Sequence, residues 1–159
     1  MGLRVASKKK SLPVFVRDTR EHEGHGYRWR KCKGWDTMET RALKYGDYSI
    51  KGYEDTFVVE RKGSANELIN NMLTKDRTRF HKELEALSSY KGAWIVCEFD
   101  VEDFNRALFV IPKKSRKFFT IDKIIGAIVS ISCKYGIPIV FASNKDMATK
   151  FTQKFLLKA

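Results

Sequence analysis

The sequence predicts an α/β protein in which one mixed β-sheet is flanked by α-helices. Strand-like segments come first, and helix-like and strand-like segments alternate after residue 63. This order is typical of a mixed sheet covered by helices. With 159 residues, of which 43% are hydrophobic, the chain is long enough for one well-packed core. We therefore expect a single domain over 1–159, with 1–11 as a basic N-terminal arm.

Four strands are predicted in the first half of the chain. They cover 12–18, 37–43, a segment that begins at Asp47, and 56–62, with turn-forming residues between them. Together they predict an antiparallel meander. Residues 19–35 contain three glycines and no apolar period, which predicts a loop or an irregular ribbon.

Two helices and a central strand are predicted next. Ser64 followed by Glu67 matches a capping box, in which two side chains satisfy the free amides of a first helical turn. Apolar residues at helical spacing predict a second helix over 76–90. The short apolar segment 93–99 predicts a central strand.

The last third of the chain continues the alternation. Residues 101–112 fit either a short helix or a loop, and a long helix is predicted over 120–135 with Gly136 as its stop. Residues 137–143 predict another buried strand. Ser143 and Asp146 repeat the capping pattern and begin a last helix, whose expected inward side chains are Met147, Phe151 and Phe155.

The charge of the chain favours a polyanionic partner such as nucleic acid. Lysine and arginine number 31 against 19 acids, which leaves a net charge of +12. Basic clusters can neutralise phosphates. The alternative for each cluster is a solvated surface. The candidate DNA-binding residues are Arg28 and Arg30 in the ribbon, Arg77, Arg79 and Lys82 in the second helix, and Lys113 and Lys114 in a later loop.

Composition also excludes some classes of protein. No apolar stretch is long enough to span a bilayer, and the N-terminus lacks the apolar middle of a signal peptide. The three cysteines lie far apart and show no zinc spacing. We expect a soluble intracellular protein with no membrane partner.

Two carboxylates and a lysine form the most informative pattern. Asp47 and Glu60 fall on successive strands and can lie side by side. Glu60 and Lys62 share one face of their strand, whereas Arg61 points to the other. Mg²⁺ or Mn²⁺ binds such oxygen ligands, and a lysine beside the metal can hold or deprotonate the attacking water. The alternative is a solvated strand end with ion pairs, since this pattern also arises by chance.

The segment "GDY" (46–48), followed by "VERK" (59–62), resembles the GDx(n)ERKx(3)D signature of the XPF-type nuclease domain. That family belongs to the restriction-endonuclease-like PD-(D/E)XK superfamily. "VFVRDTRE", "RFHKELEAL", "AWIVCE" and "KYGIPIVFAS" extend the resemblance over nearly the whole chain, most closely to compact single-domain phage and prophage members. Larger members add helix-hairpin-helix or helicase regions, which we do not expect here.

The resemblance implies a restriction-endonuclease-like sheet and a Mg²⁺- or Mn²⁺-dependent endonuclease. Its substrate would be branched or partly single-stranded DNA, in repair or recombination, and a homodimer is plausible. A phage-encoded member would act in the host cytoplasm. Two alternatives stay open: a non-catalytic DNA-binding or partner subunit of the same fold, and a Holliday-junction resolvase.

The resemblance also implies roles for individual residues. Asp47 and Glu60 would be metal ligands, Lys62 the catalytic lysine, and Arg61 a support for acids on the opposite face. Asp18 and Glu21 fall on the acids of a D-x-R-E element, with Asp18 the stronger candidate for a third metal ligand. Glu98 could reach the same cluster or simply leave the sheet. Asn66 stands where the signature has an aspartate, so the chain lacks the fourth acid of the motif at this position.

Overall fold

The computed structural model describes residues 12–21, 24–27 and 38–159. The predicted basic arm and the ribbon residues Arg28 and Arg30 lie outside this part of the chain. Six strands are described: β1 (Phe15–Arg17), β2 (Met38–Thr40), β3 (Tyr48–Ile50), β4 (Phe57–Lys62), β5 (Gly92–Cys97) and β6 (Ile139–Phe141). The six helices are α1 (Ala65–Leu73), α2 (Arg77–Ser88), α3 (Asp103–Val110), α4 (Lys113–Arg116), α5 (Ile121–Tyr135) and α6 (Lys145–Lys158).

The strands form one mixed sheet in the order β2-β1-β3-β4-β5-β6. Strands β1, β3 and β4 are antiparallel neighbours, and β5 and β6 continue from β4 in parallel. The predicted mixed sheet flanked by helices is therefore confirmed. The place predicted for β2 within the meander is wrong, because β2 pairs in parallel with β1 at the sheet edge. Residues 18–37 are long enough for the crossover that a parallel pair needs.

Two cores lie on opposite faces of the sheet, and β4 contributes to both. Val58 packs with Leu68, Leu84 and other residues of α1, α2, α3 and α5. Phe57 and Val59 point the other way, into a second core that includes Leu156 of α6. This alternation is the period of a strand buried on both faces. Consequently, Glu60 and Lys62 lie on the α1/α2 face and Arg61 lies on the α6 face.

The end of the chain differs from the prediction in two details. Ser143 is not the cap of α6: its φ is +66° and its hydroxyl donates a hydrogen bond to Asp100. Asn144 caps the helix instead, by accepting from the Met147 amide at 2.9 Å. The buried side chains of α6 are Ala148, Thr152 and Leu156; of the three residues predicted to face inward, Phe155 packs against the second core, whereas Met147 and Phe151 are exposed. The predicted buried strand at 137–143 is β6, a half-buried edge strand.

None of the helices in the described residues combines the length and hydrophobicity needed to cross a bilayer.

Candidate active site

Gly46 sets the position of Asp47 at the start of β3. Its φ of +74° is in the left-handed region, and a β-carbon there would overlap the Val58 side chain and lie 3.3 Å from the Val59 carbonyl oxygen. Only glycine avoids both the backbone strain and the overlap. The Asp47 amide then donates to Val59 O at 2.9 Å, and its carbonyl accepts from the Asp18 amide at 2.8 Å. Asp47 is thereby fixed between β1 and β4.

The carboxylates of Asp47 and Glu60 each keep one oxygen available. Asp47 Oδ2 accepts from the Arg61 amide at 2.7 Å, and Glu60 Oε1 accepts from Lys62 Nζ at 2.8 Å. Within the described residues, neither Asp47 Oδ1 nor Glu60 Oε2 accepts a hydrogen bond. Burial, and then the charge of Glu60, raise the pKa of the Asp47 carboxyl well above its ordinary value. The site therefore combines two close carboxylates whose repulsion a cation would relieve.

Lys62 is held as a buried ammonium beside these acids. Its side chain is 5% exposed, and Nζ lies 3.6 Å from Glu67 and 5.1 Å from the centre of the Phe80 ring. Burial lowers the pKa of Lys62, but the charges of Glu60 and Glu67 outweigh burial and raise it above its ordinary value. Lys62 is therefore charged and fixed on the face that carries Glu60.

These oxygens suit a hard divalent cation. Mg²⁺ is often held by one or two carboxylates, with water and substrate phosphate completing its ligands. Among the described residues there is no group of three or more His, Cys, Asp or Glu side chains placed to hold a metal. The donor set of Asp47 Oδ1 and Glu60 Oε2 fits a metal that also needs water or substrate.

Asp18 is fully buried and both of its oxygens are in use. Oδ1 accepts from the amide and the Nε of Arg20 at 2.7 and 2.6 Å, and Oδ2 accepts from the Leu43 amide at 2.6 Å. Burial raises the pKa of this carboxyl, but the hydrogen bonds from Arg20 and Leu43 lower it overall. The role of Asp18 as a metal ligand stays a prediction, and these contacts oppose it. The hydrogen bonds from Arg20 and Leu43 indicate instead that Asp18 holds two loops together beside Asp47.

Arg61 lies at the centre of an ion network on the opposite face of β4. It donates two hydrogen bonds to Glu98, at 2.6 and 3.1 Å, and its Nη1 lies 3.4 Å from Glu21 Oε2. Tyr48 also donates to Glu21, at 2.9 Å. The three charged side chains are only 10–12% exposed. Glu98 and Glu21 therefore contact Arg61 and do not join Glu60 and Lys62.

A cleft of about 570 Å³ opens beside this network. Its walls include Arg61, Glu98, Gly63 and Lys145. Gly63 leaves room for Arg61, because a β-carbon there would lie 3.0 Å from the guanidinium Nη2. The cleft thus lies beside the end of β4, and its wall also includes Glu67, which lies 3.6 Å from Lys62 Nζ.

The remaining predicted residues lie on the surface. Asn66 is exposed in the first turn of α1. Exposed positions also hold the described candidates for DNA binding, namely Arg77, Arg79, Lys82, Lys113 and Lys114. Arg79 lies 3.8 Å from Asp76, a weak surface pair. These positions leave the basic groups accessible to a polyanion.

Two residues near the site were missed by the sequence interpretation. Arg20 is 65% exposed, and its pKa is raised by the hydrogen bond to Asp18 and then by the charges of Asp18, Asp47 and Glu60. Glu83 of α2 has a pKa raised to about 7, by burial and then by the charge of Glu60. Glu83 lies one turn after Phe80, so the helical spacing that predicted Phe80 as inward was the available signal. Arg20 lies within the D-x-R-E element, between its two acids.

The mixed sheet flanked by helices, with paired acids and a lysine at the end of a central strand, is the restriction-endonuclease-like fold that the sequence predicts. The family follows from comparison with known proteins. The chain belongs to the ERCC4 domain family, whose model matches residues 17–155. This result confirms the resemblance to the XPF-type nuclease domain.

Solved structures support the fold. The chain is similar to XPF from Aeropyrum pernix, with a TM-score of 0.62 and 17% identity, covering 91% of this chain and 63% of that one. A structure of the same protein in complex with DNA gives a TM-score of 0.60 at 17% identity, with the same coverage.

A much longer relative occurs in Methanocaldococcus jannaschii. The protein named "Putative ATP-dependent RNA helicase MJ1505" is 28% identical over 154 residues. The match covers 94% of this chain and 16% of that protein. The chain thus spans about one-sixth of this relative and less than two-thirds of the solved XPF chains.

Proposed function

We propose that the protein is a Mg²⁺- or Mn²⁺-dependent endonuclease that hydrolyses phosphodiester bonds in DNA. The observation that carries the proposal is the pair of carboxylates, Asp47 and Glu60, with one available oxygen each beside the buried ammonium of Lys62. A metal ion bound there would polarise the scissile phosphate and lower the pKa of a bound water. Membership of the ERCC4 domain family supports this chemistry.

The residues of the chain have separate tasks in this mechanism. The Arg61 amide fixes Asp47 Oδ2 and so directs Oδ1 towards the metal position. Glu60 uses Oε1 to hold Lys62, which leaves Oε2 for the metal. Lys62 orients the attacking water or a phosphate oxygen as a positive hydrogen-bond donor. Arg61 acts through position only, because its side chain contacts Glu98 on the other face.

The proposed substrate is branched or partly single-stranded DNA, such as a flap, a fork or a nicked junction. Support comes from the net charge of +12 and from the structural neighbour that is described in complex with DNA. The proposed phosphate contacts are the basic residues Arg77, Arg79 and Lys82 of α2 and Lys113 and Lys114 of α4, together with Arg28 and Arg30. Action on DNA in repair or recombination implies an intracellular location.

Cleavage of a panel of labelled branched DNAs under metal titration tests the proposal. Wild type should cut in Mg²⁺ or Mn²⁺, and Asp47→Asn, Glu60→Gln and Lys62→Ala should each abolish cutting while DNA binding persists. Glu85→Gln, which removes an exposed charge from α2, is the matched control and should cut normally. DNA binding by wild type without cleavage of any substrate in either metal would favour the non-catalytic subunit. Symmetric cuts in a four-way junction would favour a Holliday-junction resolvase.

Asn66 permits a separate test of the metal site. Asparagine has a side-chain oxygen but no charge, so metal affinity should be lower than with the family aspartate. We expect Asn66→Asp to reduce the Mg²⁺ concentration needed for half-maximal cleavage. An unchanged metal dependence would mean that this position lies outside the site.

We also propose that the domain forms a homodimer through α5. Ile125 and Val129 are 44% and 54% exposed and lie one helical turn apart, which leaves an apolar strip on this helix. Sedimentation equilibrium should give a dimer for wild type and a monomer for Val129→Glu. Lys154→Glu, an exposed change on α6, should stay dimeric. A monomeric wild type would refute the proposal.

A further inference from the structure

Two unusually exposed phenylalanines flank α4, Phe109 in the last turn of α3 and Phe118 just after α4. Phe109 is 73% exposed and Phe118 is 59% exposed, and Val110 between them is 77% exposed. An aromatic side chain in a core or an interface normally buries about 150–250 Å² of its surface. Several large apolar side chains exposed together indicate a surface that meets a partner.

The backbone that carries these side chains is held in place by Arg116. Its Nη2 donates to the Phe109 carbonyl at 2.6 Å and its Nε donates to the Ile111 carbonyl at 2.9 Å. At the other end of α3, Phe104 is fully buried and packs edge-on against Phe99 and Phe141. The exposed rings therefore project from a fixed frame.

Three exposed lysines lie between the two phenylalanines in the chain. Lys113, Lys114 and Lys117 are exposed, and within the described residues none of them forms an ion pair. Lys117 Nζ lies 5.0 Å from the centre of the Phe118 ring. The surface thus combines aromatic faces with positive charge that the described part of the chain leaves uncompensated.

We infer that this surface, formed by Phe109, Val110, Phe118, Lys113, Lys114 and Lys117, binds an unpaired segment of a nucleic-acid strand. Aromatic side chains stack on unpaired bases, while neighbouring lysines bind the phosphates. In a duplex the base faces are stacked on one another, so the surface selects the single-stranded part of a substrate. This inference refines the proposed function, and it relies on that proposal for the identity of the polyanion as DNA.

Charge disfavours a second copy of this chain as the occupant. In a two-fold contact each surface would face itself, so the three lysines of one copy would oppose those of the other. Like charges brought together at an interface repel. A polyanion with planar apolar groups complements both features of the surface.

The position of the surface suits a strand that leaves the proposed active site. Strand β5 ends at Cys97, which is the register partner of Lys62, and α3 begins six residues later at Asp103. An eight-residue helix rises only about 12 Å, which corresponds to three or four nucleotides at about 3.4 Å each. The surface therefore follows β5 by one short loop and one short helix along the chain, and β5 is the neighbour of the strand that carries Glu60 and Lys62.

Binding measured without metal tests the inference. Fluorescence anisotropy in EDTA would compare a labelled oligothymidine with a blunt duplex of the same length, using the full chain. We expect Phe109→Ala and Phe118→Ala each to weaken oligothymidine binding about tenfold, and duplex binding to change by less than about twofold. Phe151→Ala, an exposed phenylalanine on α6, is the matched control and should leave both affinities unchanged. Circular dichroism would establish that each variant is folded.

A second measurement uses Phe118→Trp. Stacking of a base should quench fluorescence beyond the quenching seen in wild type with the same oligothymidine. Unchanged oligothymidine affinity in the alanine variants would overturn the inference, as would equal losses for oligothymidine and duplex. Conversion of a wild-type dimer to a monomer by Phe118→Ala would overturn it too, by identifying the surface as a self-contact. Because no metal is present, a protein that fails to cut DNA could still pass this test, so the two proposals fail separately.

Discussion

Replacement of Gly46 by alanine is the sharpest test of how the fold places Asp47. The change introduces two separable penalties. A φ of +74° disfavours any residue with a β-carbon, at about 1–2 kcal/mol. The overlap with Val58 adds an overpacking penalty of about 1–3 kcal/mol. We expect Gly46→Ala to lower the free energy of unfolding by about 2–5 kcal/mol.

The chain offers a matched control for the backbone penalty alone. Gly52 has a φ of +88°, but a β-carbon there meets no atom within 4 Å. Gly52→Ala should therefore show the backbone strain without overlap, about 1–2 kcal/mol. The difference between the two variants measures the contact with Val58.

Urea denaturation followed by circular dichroism would give both free energies, provided that the slopes with denaturant agree. Gly46→Ala should also lower DNA cleavage, because a displaced Val58 or Asp47 shifts the Asp47 carboxylate relative to Glu60. Gly52→Ala should cut normally. If Gly46→Ala were no more destabilising than Gly52→Ala, the close approach of Gly46 to Val58 would not determine the position of Asp47.

Three further predictions concern hydrogen bonds and charge. Asp18→Asn replaces an acceptor of three N–H groups with a side chain that has only one acceptor oxygen, and should destabilise the fold by about 1–3 kcal/mol in urea denaturation; a neutral effect would refute the role assigned to these bonds. Arg61→Lys loses the paired hydrogen bonds to Glu98 and should destabilise the fold by a similar amount, about 1–3 kcal/mol. Its control is Arg106→Lys, an exposed change that should alter the free energy of unfolding by less than about 0.5 kcal/mol. Burial, and then the charges of Arg77 and Lys134, lower the pKa of His81 in the folded protein below its usual 6.5. The imidazole is therefore protonated more readily in the unfolded chain, so lowering the pH through 6.5 should reduce the free energy of unfolding. An NMR titration that placed the His81 pKa at or above 6.5 would contradict this sign.

The parts of the fold that local sequence determines were predicted well. The strand expected at 56–62 is β4, and the helix expected from Ser64 begins at Ala65. Both signals act over a few residues: β-branched residues favour the strand, and the Ser64 side chain accepts from the Glu67 amide at 3.2 Å. One detail differs, since the Glu67 carboxylate accepts from the Gly63 amide and not from Ser64. Capping patterns therefore locate a helix start better than they identify each hydrogen bond.

Features that depend on contacts between distant segments could not be predicted. One oxygen of the Asp18 carboxylate accepts a hydrogen bond from the Leu43 amide, which is 25 residues away in the chain. The interaction of Glu83 with Glu60 depends on how α2 packs against β4. Glu98 is on the face of Arg61 because β4 and β5 pair with Lys62 opposite Cys97, and no sequence pattern determines that register. The adjacency of Asp47 and Glu60 on two successive strands was thus predictable, while the neighbours supplied by more distant elements were not.

The two faces of β4 explain why three consecutive charged residues can end a buried strand. Glu60 and Lys62 pair with each other on one face, and Arg61 pairs with Glu98 and Glu21 on the other. A buried charge without a partner would destabilise the fold by several kcal/mol, approximately, so each face must contain its own counter-charges. The side chain of Arg61 holds the end of β4 through Glu98 and Glu21 and contacts neither Asp47 nor Glu60. The backbone amide of Arg61 donates to only one oxygen of Asp47. The strand end can therefore be rigid on one face and retain unused carboxylate oxygens on the other, as a metal site requires.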